Sequence, residues 1–589
     1  MIINNKRINP LLMTDFYKTI HHLAYVPKLE NLVSYWTPRM TRKEEIDKVV
    51  MFGLQAVIIQ HLINDFNDNF FNVDWNTIEK EYKTVIANTM SVQASDTTEI
   101  KKLHDLGYLP IEIKAVAEGE RVNIKTPMFE ISNTVKGYGW LVNYLETYIS
   151  VNIWHPMTSA SIAYSFREVV NEYFDKTVGE YGVVQVLPKE EGGYLHHPVD
   201  GQVKLNATRN AACGDFSMRG MTSFESAMAS SAGHLTSFTG TATIPAVLWL
   251  EQYYVADCTN ETVGRGVPST EHSVMSSYGR EGEFECYRHL IEDVFKTGPL
   301  SIVSDTYDYW NVLTNYLPLL KDSIMNRDGK IIIRGDSGNP ADIICGKEVI
   351  TYETKEDFLN DANIKWFYDR KQQVKAGNTF YKAVKLKDCK GEYLRPWLPA
   401  NSYGDELVWI ETEASPENKG TVEILWEIFG GYINEKGYKV LDSHIGAIYG
   451  DSITLELAKE IYRRLEAKGF AVNNVTLGIG SYTYQYVTRD TLGFALKATH
   501  SVVNGKERQI YKDPLTDKTK GNNFKKSQRG MCYVYRDGDD IKYTDEHTIE
   551  ELKQDKYKDN LLETVFKDSV LVKEYSLAEI RNKLHDNKF

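Results

Sequence analysis

Four apolar segments of the chain end in residues that could bind a sugar phosphate. The segments are LSIVSDTYD (Leu300 to Asp308), KIIIRGDSGN (Lys330 to Asn339), HIGAIYGDS (His444 to Ser452) and NVTLGIGS (Asn474 to Ser481). Their ends carry Ser301 with Asp305, Arg334 with Asp336, Gly450 with Asp451, and Gly478 with Gly480. Glycine lets a backbone approach a phosphate, arginine binds phosphate oxygens, and carboxylates hold sugar hydroxyls or magnesium. A single Asp-Gly pair is usually a turn, but four such ends favour a sugar-phosphate site.

Helical patterns lie between these segments and indicate how the chain positions them. The stretch TLELAKEIYRRLEAKG (Thr454 to Gly469) has apolar residues at helical spacing and a glycine stop. Strands that alternate with helices form parallel βα units, so we expect a barrel or an open doubly wound sheet. In both folds the ligand groups lie at the C-terminal ends of the strands.

Length and composition restrict the kinds of protein that this can be. A chain of 589 residues with 42% hydrophobic and 25% charged residues predicts two globular domains. The net charge of −13 argues against a nucleic-acid partner, so an anionic ligand needs a local basic pocket. The six cysteines form no CxxC, there is no apolar signal region, and no apolar run approaches 18 residues. These features predict a cytoplasmic protein with no membrane partner.

Nine motifs give the chain a resemblance to a known family. In chain order they are LLMTDFYK (Leu11 to Lys18), FGLQ (Phe52 to Gln55), LPIEIKAV (Leu109 to Val116), DFSMRG (Asp215 to Gly220), GHLTSFTGT (Gly233 to Thr241), VPSTEHS (Val267 to Ser273), SIVSDTYD, IIIRGDSGNP and TRD (Thr488 to Asp490). With these motifs most of the chain resembles the barrel-type phosphoribosyltransferase family that includes the nicotinamide, nicotinate and quinolinate enzymes.

The resemblance implies an α/β fold with an irregular, TIM-like barrel over residues 156–484. A flanking mixed α+β sheet domain would be built from both termini, residues 1–155 plus 485–589. Residues 345 to about 420 interrupt the family pattern as an insertion rich in strand formers, which we expect to form a small β lobe. The family also implies a head-to-tail homodimer whose active sites use both subunits.

The implied activity is that of a pentosyltransferase in NAD salvage. The ring nitrogen of nicotinamide would attack C1 of the ribose in phosphoribosyl pyrophosphate, giving nicotinamide mononucleotide and pyrophosphate. Magnesium and basic residues would stabilise the leaving pyrophosphate, so positioning and charge stabilisation would supply most of the catalysis. The residues that hold the magnesium ion are left unassigned.

The resemblance also implies roles for individual residues. Phe216 and the partner subunit's Tyr17 would sandwich the nicotinamide ring, because flat aromatics stack on a flat heterocycle. Arg219 and Arg334 would contact the base or the phosphates, and Asp336 the ribose hydroxyls. The further substrate-binding candidates are Asp15, Asp215, Ala242, Ser301, Gly450, Asp451, Gly480 and Ser481. Arg39, Arg489, Lys497 and Lys512 match the family's basic residues around the pyrophosphate, supplied largely by the partner chain.

His272 matches the histidine that this family phosphorylates with ATP, a step that couples ATP hydrolysis to tighter donor binding. Taken alone, a histidine is most often a surface or a satisfied core residue. Within STEHS, however, Glu271 or Asp305 could orient its ring and stabilise the charged form. The predicted catalytic residues are therefore His272, Asp336, Asp305 and Glu271, with Mg²⁺ as cofactor and ATP as coupling substrate.

Departures from the family pattern leave the base and the donor open. Ala242 stands where nicotinamide-selective members carry an aspartate that accepts hydrogen bonds from the amide, so nicotinamide and nicotinate both remain candidates. After the phosphate strand, Tyr482, Tyr484 and Tyr486 alternate as a strand would, and one of them could stack on another ring.

Together with the insertion, this alternation leaves two other functions to weigh. One is a nicotinamide ADP-ribose transferase that uses ADP-ribose pyrophosphate and makes NAD directly. The other is a non-catalytic nucleotide-binding homologue, against which His272, Asp336 and the basic set argue.

Overall fold

The protein is described by a computed structural model over residues 7–178, 208–360, 373–386, 406–450, 452–513 and 527–589. The strands are β1 (Leu29–Pro38), β2 (Lys48–Val50), β3 (Ile111–Ala115), β4 (Arg121–Asn123), β5 (Phe129–Asn133), β6 (Cys213–Asp215), β7 (Gly240–Thr241), β8 (Leu300–Val303), β9 (Ile331–Gly335), β10 (Thr351–Tyr352), β11 (Gln373–Ala376), β12 (Thr379–Leu386), β13 (Glu406–Thr412), β14 (Gly431–Ile433), β15 (Lys439–Leu441), β16 (Ile445–Tyr449), β17 (Val475–Ile479), β18 (Phe494–Val503), β19 (Lys506–Gln509), β20 (Met531–Asp537), β21 (Asp540–His547), β22 (Glu563–Lys567) and β23 (Val570–Leu571).

The α-helices of the described residues range from single turns to the 32-residue helix Glu146–Thr177. In chain order they are α1 (His21–Ala24), α2 (Leu54–Val57), α3 (Trp75–Thr89), α4 (Thr98–Leu106), α5 (Gly139–Tyr144), α6 (Glu146–Thr177), α7 (Phe224–Leu235), α8 (Ile244–Tyr253), α9 (His272–Ser277), α10 (Glu283–His289), α11 (Tyr309–Asn311), α12 (Leu317–Leu319), α13 (Lys321–Asn326), α14 (Pro340–Cys345), α15 (Lys355–Asn360), α16 (Pro416–Lys419), α17 (Thr421–Phe429), α18 (Leu455–Ala467), α19 (Ser481–Tyr484) and α20 (Leu577–Leu584). None of the helices in the described ranges is long and apolar enough to cross a bilayer.

The chain divides into two compact units. Unit 1 consists of Met1–Glu168, Cys213–Gly266 and Ile479–Phe589. Unit 2 consists of Val169–Ala212 and Val267–Gly478.

Unit 1 contains a seven-stranded antiparallel sheet in the order β19-β18-β1-β5-β3-β22-β23. The sheet combines strands from both ends of the chain. At its centre the buried Trp36 ring stacks on Phe129 at 5.7 Å and on Phe494 at 5.2 Å, which ties β5, β1 and β18 together. Unit 1 also contains β6 and β7, which pair in parallel.

Unit 2 contains four parallel strands in the order β17-β16-β9-β8. On β9, Ile331 and Ile333 are buried while Ile332 and Arg334 are half-buried. The crossover helix α18 begins with the Thr454 hydroxyl as its cap and ends with the chain turning at Gly469. Because the strands are parallel, their C-terminal ends lie along one edge of this sheet.

The described residues 351–360, 373–386 and 406–412 form a lobe within unit 2, with four strands in the order β10-β11-β12-β13. Its small core contains Phe358, Val374, Ala376 and Tyr381, and the Phe358 and Tyr381 rings stack at 4.9 Å. The chain enters the lobe at Gly346 and leaves it near Gly420. A Cβ on either glycine would overlap the backbone of the other segment, so the two ends are in direct contact.

The predicted α/β class is confirmed in its general form, since parallel strands with crossover helices and antiparallel sheets occur in the same chain. The closed TIM-like barrel stays a prediction. So do the domain limits at residues 156 and 484.

Candidate active site

His272 is the first residue of α9 in unit 2 and lies near two carboxylates. Its Nδ1 is 3.0 Å from the Thr306 hydroxyl. Its Nε2 lies 3.9 Å from Asp305 Oδ1 and 3.9 Å from Asp336 Oδ2. The His272 side chain is 49% exposed, whereas that of Asp305 is only 6% exposed. With the other ring nitrogen held by a hydroxyl, Nε2 is the nitrogen open to a ligand.

Asp305 is bonded through one oxygen only. Its Oδ2 accepts hydrogen bonds from the backbone N–H of Asp336 at 3.1 Å and from the Ser337 hydroxyl at 2.5 Å. Its Oδ1 is buried and has no hydrogen-bond donor among the described residues. A buried carboxylate oxygen is rarely left without a partner, so this atom marks a place for a cation or a hydroxyl group.

Arg334 and Gly450 complete the ends of β9 and β16. Arg334 Nη2 lies 3.4 Å from Asp336 Oδ2, so the guanidinium and the carboxylate face each other at the strand end. A Cβ at Gly450 would overlap the Asp336 carboxylate. Glycine at position 450 therefore lets Asp336 pack directly against the backbone of the neighbouring strand.

The other predicted residues of unit 2 lie close by. Ser301 in β8 is buried, and its hydroxyl has no partner within the described ranges. The Glu271 carboxylate accepts a hydrogen bond from the Ser273 hydroxyl. The His272 ring is bonded to the Thr306 hydroxyl instead. Asp451 lies outside the described residues.

Unit 1 contains a second group of predicted residues, at the end of β6. Asp215 is fully buried. Its Oδ1 accepts hydrogen bonds from the Ser217 N–H at 3.1 Å and the Ser217 hydroxyl at 2.6 Å. Its Oδ2 accepts from the hydroxyls of Thr241 at 3.1 Å and Thr243 at 2.9 Å. Both oxygens are thus occupied by the chain itself.

Phe216 and Ala242 lie at the open ends of β6 and β7. The half-buried Phe216 donates its N–H to the Ile479 carbonyl at 2.9 Å. A Cβ at Gly214 would lie 3.3 Å from the Phe216 ring, so the ring folds back over the strand end. Ala242 is exposed, and its N–H donates to the Asp215 carbonyl at 2.8 Å. The Phe216 ring and the exposed Ala242 therefore lie at the same end of the β6 and β7 pair.

Arg219, Gly480 and Ser481 lie on two neighbouring turns of unit 1. Arg219 is exposed on the turn Met218–Gly220, and Gly480 precedes α19. A Cβ at Gly220 would overlap the Ser481 hydroxyl, so the two turns are in contact. Arg219 is exposed and Ser481 is half-buried, whereas Gly480 is buried, so the first two are the side chains available to a ligand here.

The basic residues of unit 1 gather near Glu146. Lys18 Nζ lies 2.6 Å from Glu146 Oε2, and Lys497 Nζ lies 3.3 Å from Oε1. Burial lowers the pKa of Lys497, and burial followed by the neighbouring charge of Arg489 lowers the pKa of Arg39. Both pKa shifts mean that the charged forms of these side chains are disfavoured. An anionic ligand would stabilise the charged forms.

Tyr17, Asp15 and Lys512 are also accessible in unit 1. Tyr17 is exposed, and its hydroxyl donates to Asp15 at 3.1 Å. The Lys512 side chain is exposed and its backbone pairs with Ser527. The common pyrophosphate role of Lys512, Arg39, Arg489 and Lys497 stays a prediction.

Several residues at these groups were not singled out from the sequence. They are Thr306 and Ser337 around the carboxylates, Ser217 and Thr243 around Asp215, and Lys18 with Glu146 in the basic group. Thr306, Ser337 and Ser217 stand next to predicted residues within the quoted motifs, so their hydroxyl groups could have been noticed in the sequence. Glu146 could not be found in this way, because its partner Lys18 is 128 positions away.

The described residues offer only part of a ligand set for magnesium. No group of three or more His, Cys, Asp or Glu side chains that could hold a metal is found within the described ranges. The unpaired Asp305 Oδ1 and the nearby Asp336 carboxylate nevertheless fit an ion that brings other oxygens with it. Magnesium commonly binds through one or two carboxylates plus water and substrate phosphates.

Comparisons with known proteins find a matching family and several relatives. Residues 211–570 match the nicotinate phosphoribosyltransferase (NAPRTase) family. The chain is 38% identical to a nicotinamide phosphoribosyltransferase of Acinetobacter baylyi, over 98% of this chain and 97% of that protein. It is 28% identical to a nicotinamide phosphoribosyltransferase of Mycoplasma pneumoniae, over 88% and 94%. A solved nicotinate-nucleotide pyrophosphorylase from Pyrococcus furiosus is 12% identical, with a TM-score of 0.47 over 98% and 95%.

The family match and the 38% identical relative define the protein as a pentosyltransferase enzyme. The chain belongs to the nicotinate phosphoribosyltransferase family, as its motifs predicted.

Proposed function

We propose that the protein transfers the 5-phosphoribosyl group of phosphoribosyl pyrophosphate to nicotinamide, giving nicotinamide mononucleotide and pyrophosphate for NAD salvage. The observation that carries the proposal is the 38% identity over 98% of the chain to a nicotinamide phosphoribosyltransferase. The cluster of His272, Asp305 and Asp336 at the strand ends supports it, because this cluster provides the groups that the chemistry needs.

In the proposed reaction the nicotinamide ring nitrogen forms a bond to C1 of the ribose while the bond from C1 to pyrophosphate breaks. Asp336 holds the ribose hydroxyls beside Gly450, and Arg334 binds a phosphate group. The half-buried Phe216 stacks on the nicotinamide ring. Fixing the two reactants in this way supplies much of the rate enhancement of a group transfer. Asp305 and Asp336 would hold a magnesium ion, which would neutralise charge on the leaving pyrophosphate.

His272 has a separate role in this proposal. Its Nε2 takes the terminal phosphoryl group of ATP, ADP leaves, and later hydrolysis returns the free histidine. Thr306 supports this role because it holds Nδ1 and leaves Nε2 accessible. A phosphorylated His272 next to the donor site would strengthen donor binding through added hydrogen-bond acceptors.

We also propose a homodimer with shared active sites. Phe224 on α7 and Ile244 on α8 are 70% and 74% exposed, and large apolar side chains at such exposure favour an interface. Tyr17 is exposed in the same way, which fits a role for the partner subunit's Tyr17 in covering the nicotinamide ring. The closed barrel and a cytoplasmic location belong to the same proposal. The five described cysteines are free, as expected in a reducing compartment.

One observation favours a second candidate, transfer of ADP-ribose from ADP-ribose pyrophosphate. Tyr482 and Tyr486 are 60% and 79% exposed, and their rings are parallel within 7° at 5.5 Å. They follow Gly480 and Ser481, where the 5′-phosphate of the donor is proposed to bind. An exposed aromatic pair could hold the adenine of a larger donor by stacking.

Product analysis tests the proposal. Purified enzyme is incubated with nicotinamide and phosphoribosyl pyrophosphate, with and without ATP and magnesium, and the products are measured by mass spectrometry. We expect nicotinamide mononucleotide, and loss of product in an Asp336→Asn control. Absence of turnover with this pair, alongside NAD formation from ADP-ribose pyrophosphate, would replace the first function with the second.

A further inference from the structure

The Asp215 carboxylate is buried, and no charged group is among its hydrogen-bond donors in the described residues. All four hydrogen bonds that it accepts come from uncharged groups, the N–H of Ser217 and the hydroxyls of Ser217, Thr241 and Thr243. Each oxygen accepts two of these bonds, which is the pattern of an ionised carboxylate. Two more hydrogen bonds, from the Thr243 N–H to the Thr241 hydroxyl and between the hydroxyls of Ser231 and Thr241, fix the donors in place.

The titratable groups around this carboxylate do not cancel its charge. Burial lowers the pKa of His234 to about 4, so the ring is neutral at neutral pH. Its Nδ1 is bonded to the Tyr484 hydroxyl at 2.7 Å, and burial raises the pKa of Tyr484. The buried Arg581 donates to the carbonyls of Leu235, Thr262 and Val263.

The charge lies directly behind the proposed nicotinamide site. Asp215 is the residue before Phe216, and its carbonyl holds the N–H of the exposed Ala242. Nicotinamide is neutral before the reaction, but its ring becomes a pyridinium cation once the nitrogen bonds to C1. Electrostatic stabilisation by a fixed group is strongest when that group faces a charge that develops during the reaction.

We propose that Asp215 stabilises the positive charge that develops on the pyridine ring, through space and without touching the substrate. The inference rests on the proposed nicotinamide transfer and adds to it a positioning and electrostatic residue. Four fixed donors hold the carboxylate rigidly, so its field needs no reorganisation during the reaction. Ala242 is uncharged, and Asp215 is a carboxylate at the paired ends of β6 and β7.

Differential binding tests this role. In Asp215→Asn the affinity for nicotinamide mononucleotide, whose ring is cationic, should fall about tenfold, because a unit charge several ångströms away acts on it. The affinity for neutral nicotinamide should stay within about twofold, and kcat should fall about tenfold with the loss of transition-state stabilisation. Calorimetry on the purified enzyme gives both affinities. Equal changes for both ligands, or none, would overturn the inference.

A matched variant separates charge from structure. Thr243→Val removes one hydrogen bond of the same cluster but keeps the carboxylate, so its stability should fall while its ratio of the two affinities equals that of the wild type. A ratio that shifts as much as in Asp215→Asn would mean that packing, and not charge, is responsible.

Wild-type enzyme provides a test that does not depend on any variant folding. The permanent cation 1-methylnicotinamide should bind at least as tightly as nicotinamide, and tenfold weaker binding would contradict the inference. If the wild type makes no nicotinamide mononucleotide, the proposed function and this inference both fail. If it makes the product but the affinity ratio is unchanged in Asp215→Asn, only the inference fails.

Discussion

At the scale of single residues, Gly450 matters because it has no side chain. It follows β16, and the Asp336 carboxylate packs against its backbone. Its backbone is not in the left-handed region, so the requirement for glycine is one of space and not of conformation. The proposed donor site therefore depends on an absent side chain as much as on the charged groups.

Gly450→Ala should displace Asp336 and weaken donor binding. We expect kcat/KM for phosphoribosyl pyrophosphate to fall about tenfold to a hundredfold, the usual effect of misplacing a positioned group. Gly446→Ala, on the same strand, meets only the flexible end of Lys330 and serves as control. Steady-state kinetics of both variants make the comparison. Equal kcat/KM in both would show that position 450 has no special need for glycine.

His272→Ala should abolish stimulation by ATP but leave a basal rate of transfer. The reason is that the phosphorylated histidine is proposed to aid donor binding and not to attack the base. His289→Ala is a suitable control, because His289 is a partly exposed histidine of unit 2 bonded to Asp293 at 3.1 Å. The measurement is the rate of product formation with and without ATP. Unchanged ATP coupling in His272→Ala would remove this residue from the mechanism.

Individual residues differ in how far the sequence predicted them. Asp305, Arg334 and Asp336 follow short apolar strands, so their convergence followed from the parallel arrangement alone. Lys18 and Glu146 could not be predicted in this way, since they meet only through the packing of segments 128 positions apart.

At the scale of elements, the tyrosines after β17 show where sequence pattern misled. Their alternation predicted a strand, but Ser481–Tyr484 is helical. Tyr482 lies in this helix and Tyr486 lies two residues beyond its end, and their rings stack on each other. Tyr484 points inward and bonds to His234. Three residues spaced by two fit both periods, so the pattern alone could not decide.

The contact between Gly346 and Gly420, where the chain enters and leaves the lobe, should be sensitive to added side-chain volume. Gly420→Ala places a Cβ in the backbone of Gly346, whereas Gly437→Ala meets nothing within 4 Å. Both glycines have positive φ, +78° and +84°, so both variants should lose about 1–2 kcal/mol for conformation. Gly420→Ala should lose about 2 kcal/mol more from the overlap. Chemical denaturation measures both losses of stability. Equal losses would mean that the contact between Gly346 and Gly420 has room for a Cβ.

The buried Glu118, which accepts hydrogen bonds from the FGLQ motif, should make the stability of unit 1 depend on pH. Burial raises the pKa of Glu118 from 4.5 to about 7, although the N–H groups of Gln55 and Gly53 and the Tyr254 hydroxyl bond to it. The folded chain then keeps a proton that the unfolded chain releases between about pH 4.5 and 7. Stability should therefore fall as pH rises through this window, by up to about 3 kcal/mol. A Glu118→Met variant should lack this slope in pH-dependent denaturation, and an unchanged slope would contradict it.

At the scale of the whole molecule, the net charge of −13 contrasts with the local group of Lys18, Arg39 and Lys497. The proposed anionic donor would thus be attracted by this local group despite the net negative charge of the protein. In the proposed dimer this group and the carboxylates of unit 2 would serve one site from two chains.

Mixing two inactive variants tests the shared site. Tyr17→Ala and Asp336→Ala should each be inactive, but a hybrid dimer has one site with both lesions and one with neither. About half of the dimers are hybrids after random mixing, so about a quarter of the wild-type activity should return. The variants are co-expressed, and hybrids are confirmed by native mass spectrometry. Continued inactivity of confirmed hybrids would mean that each chain builds its own site.

The most direct test of the central claim is internal competition among substrates. One reaction contains equal concentrations of nicotinamide, nicotinate, phosphoribosyl pyrophosphate and ADP-ribose pyrophosphate with the wild-type enzyme, ATP and magnesium. The initial ratio of products, read by mass spectrometry, gives the ratio of kcat/KM values for each pair. We predict that nicotinamide mononucleotide is the main product. A mixture dominated by NAD or by nicotinate mononucleotide would contradict the assignment of donor or base.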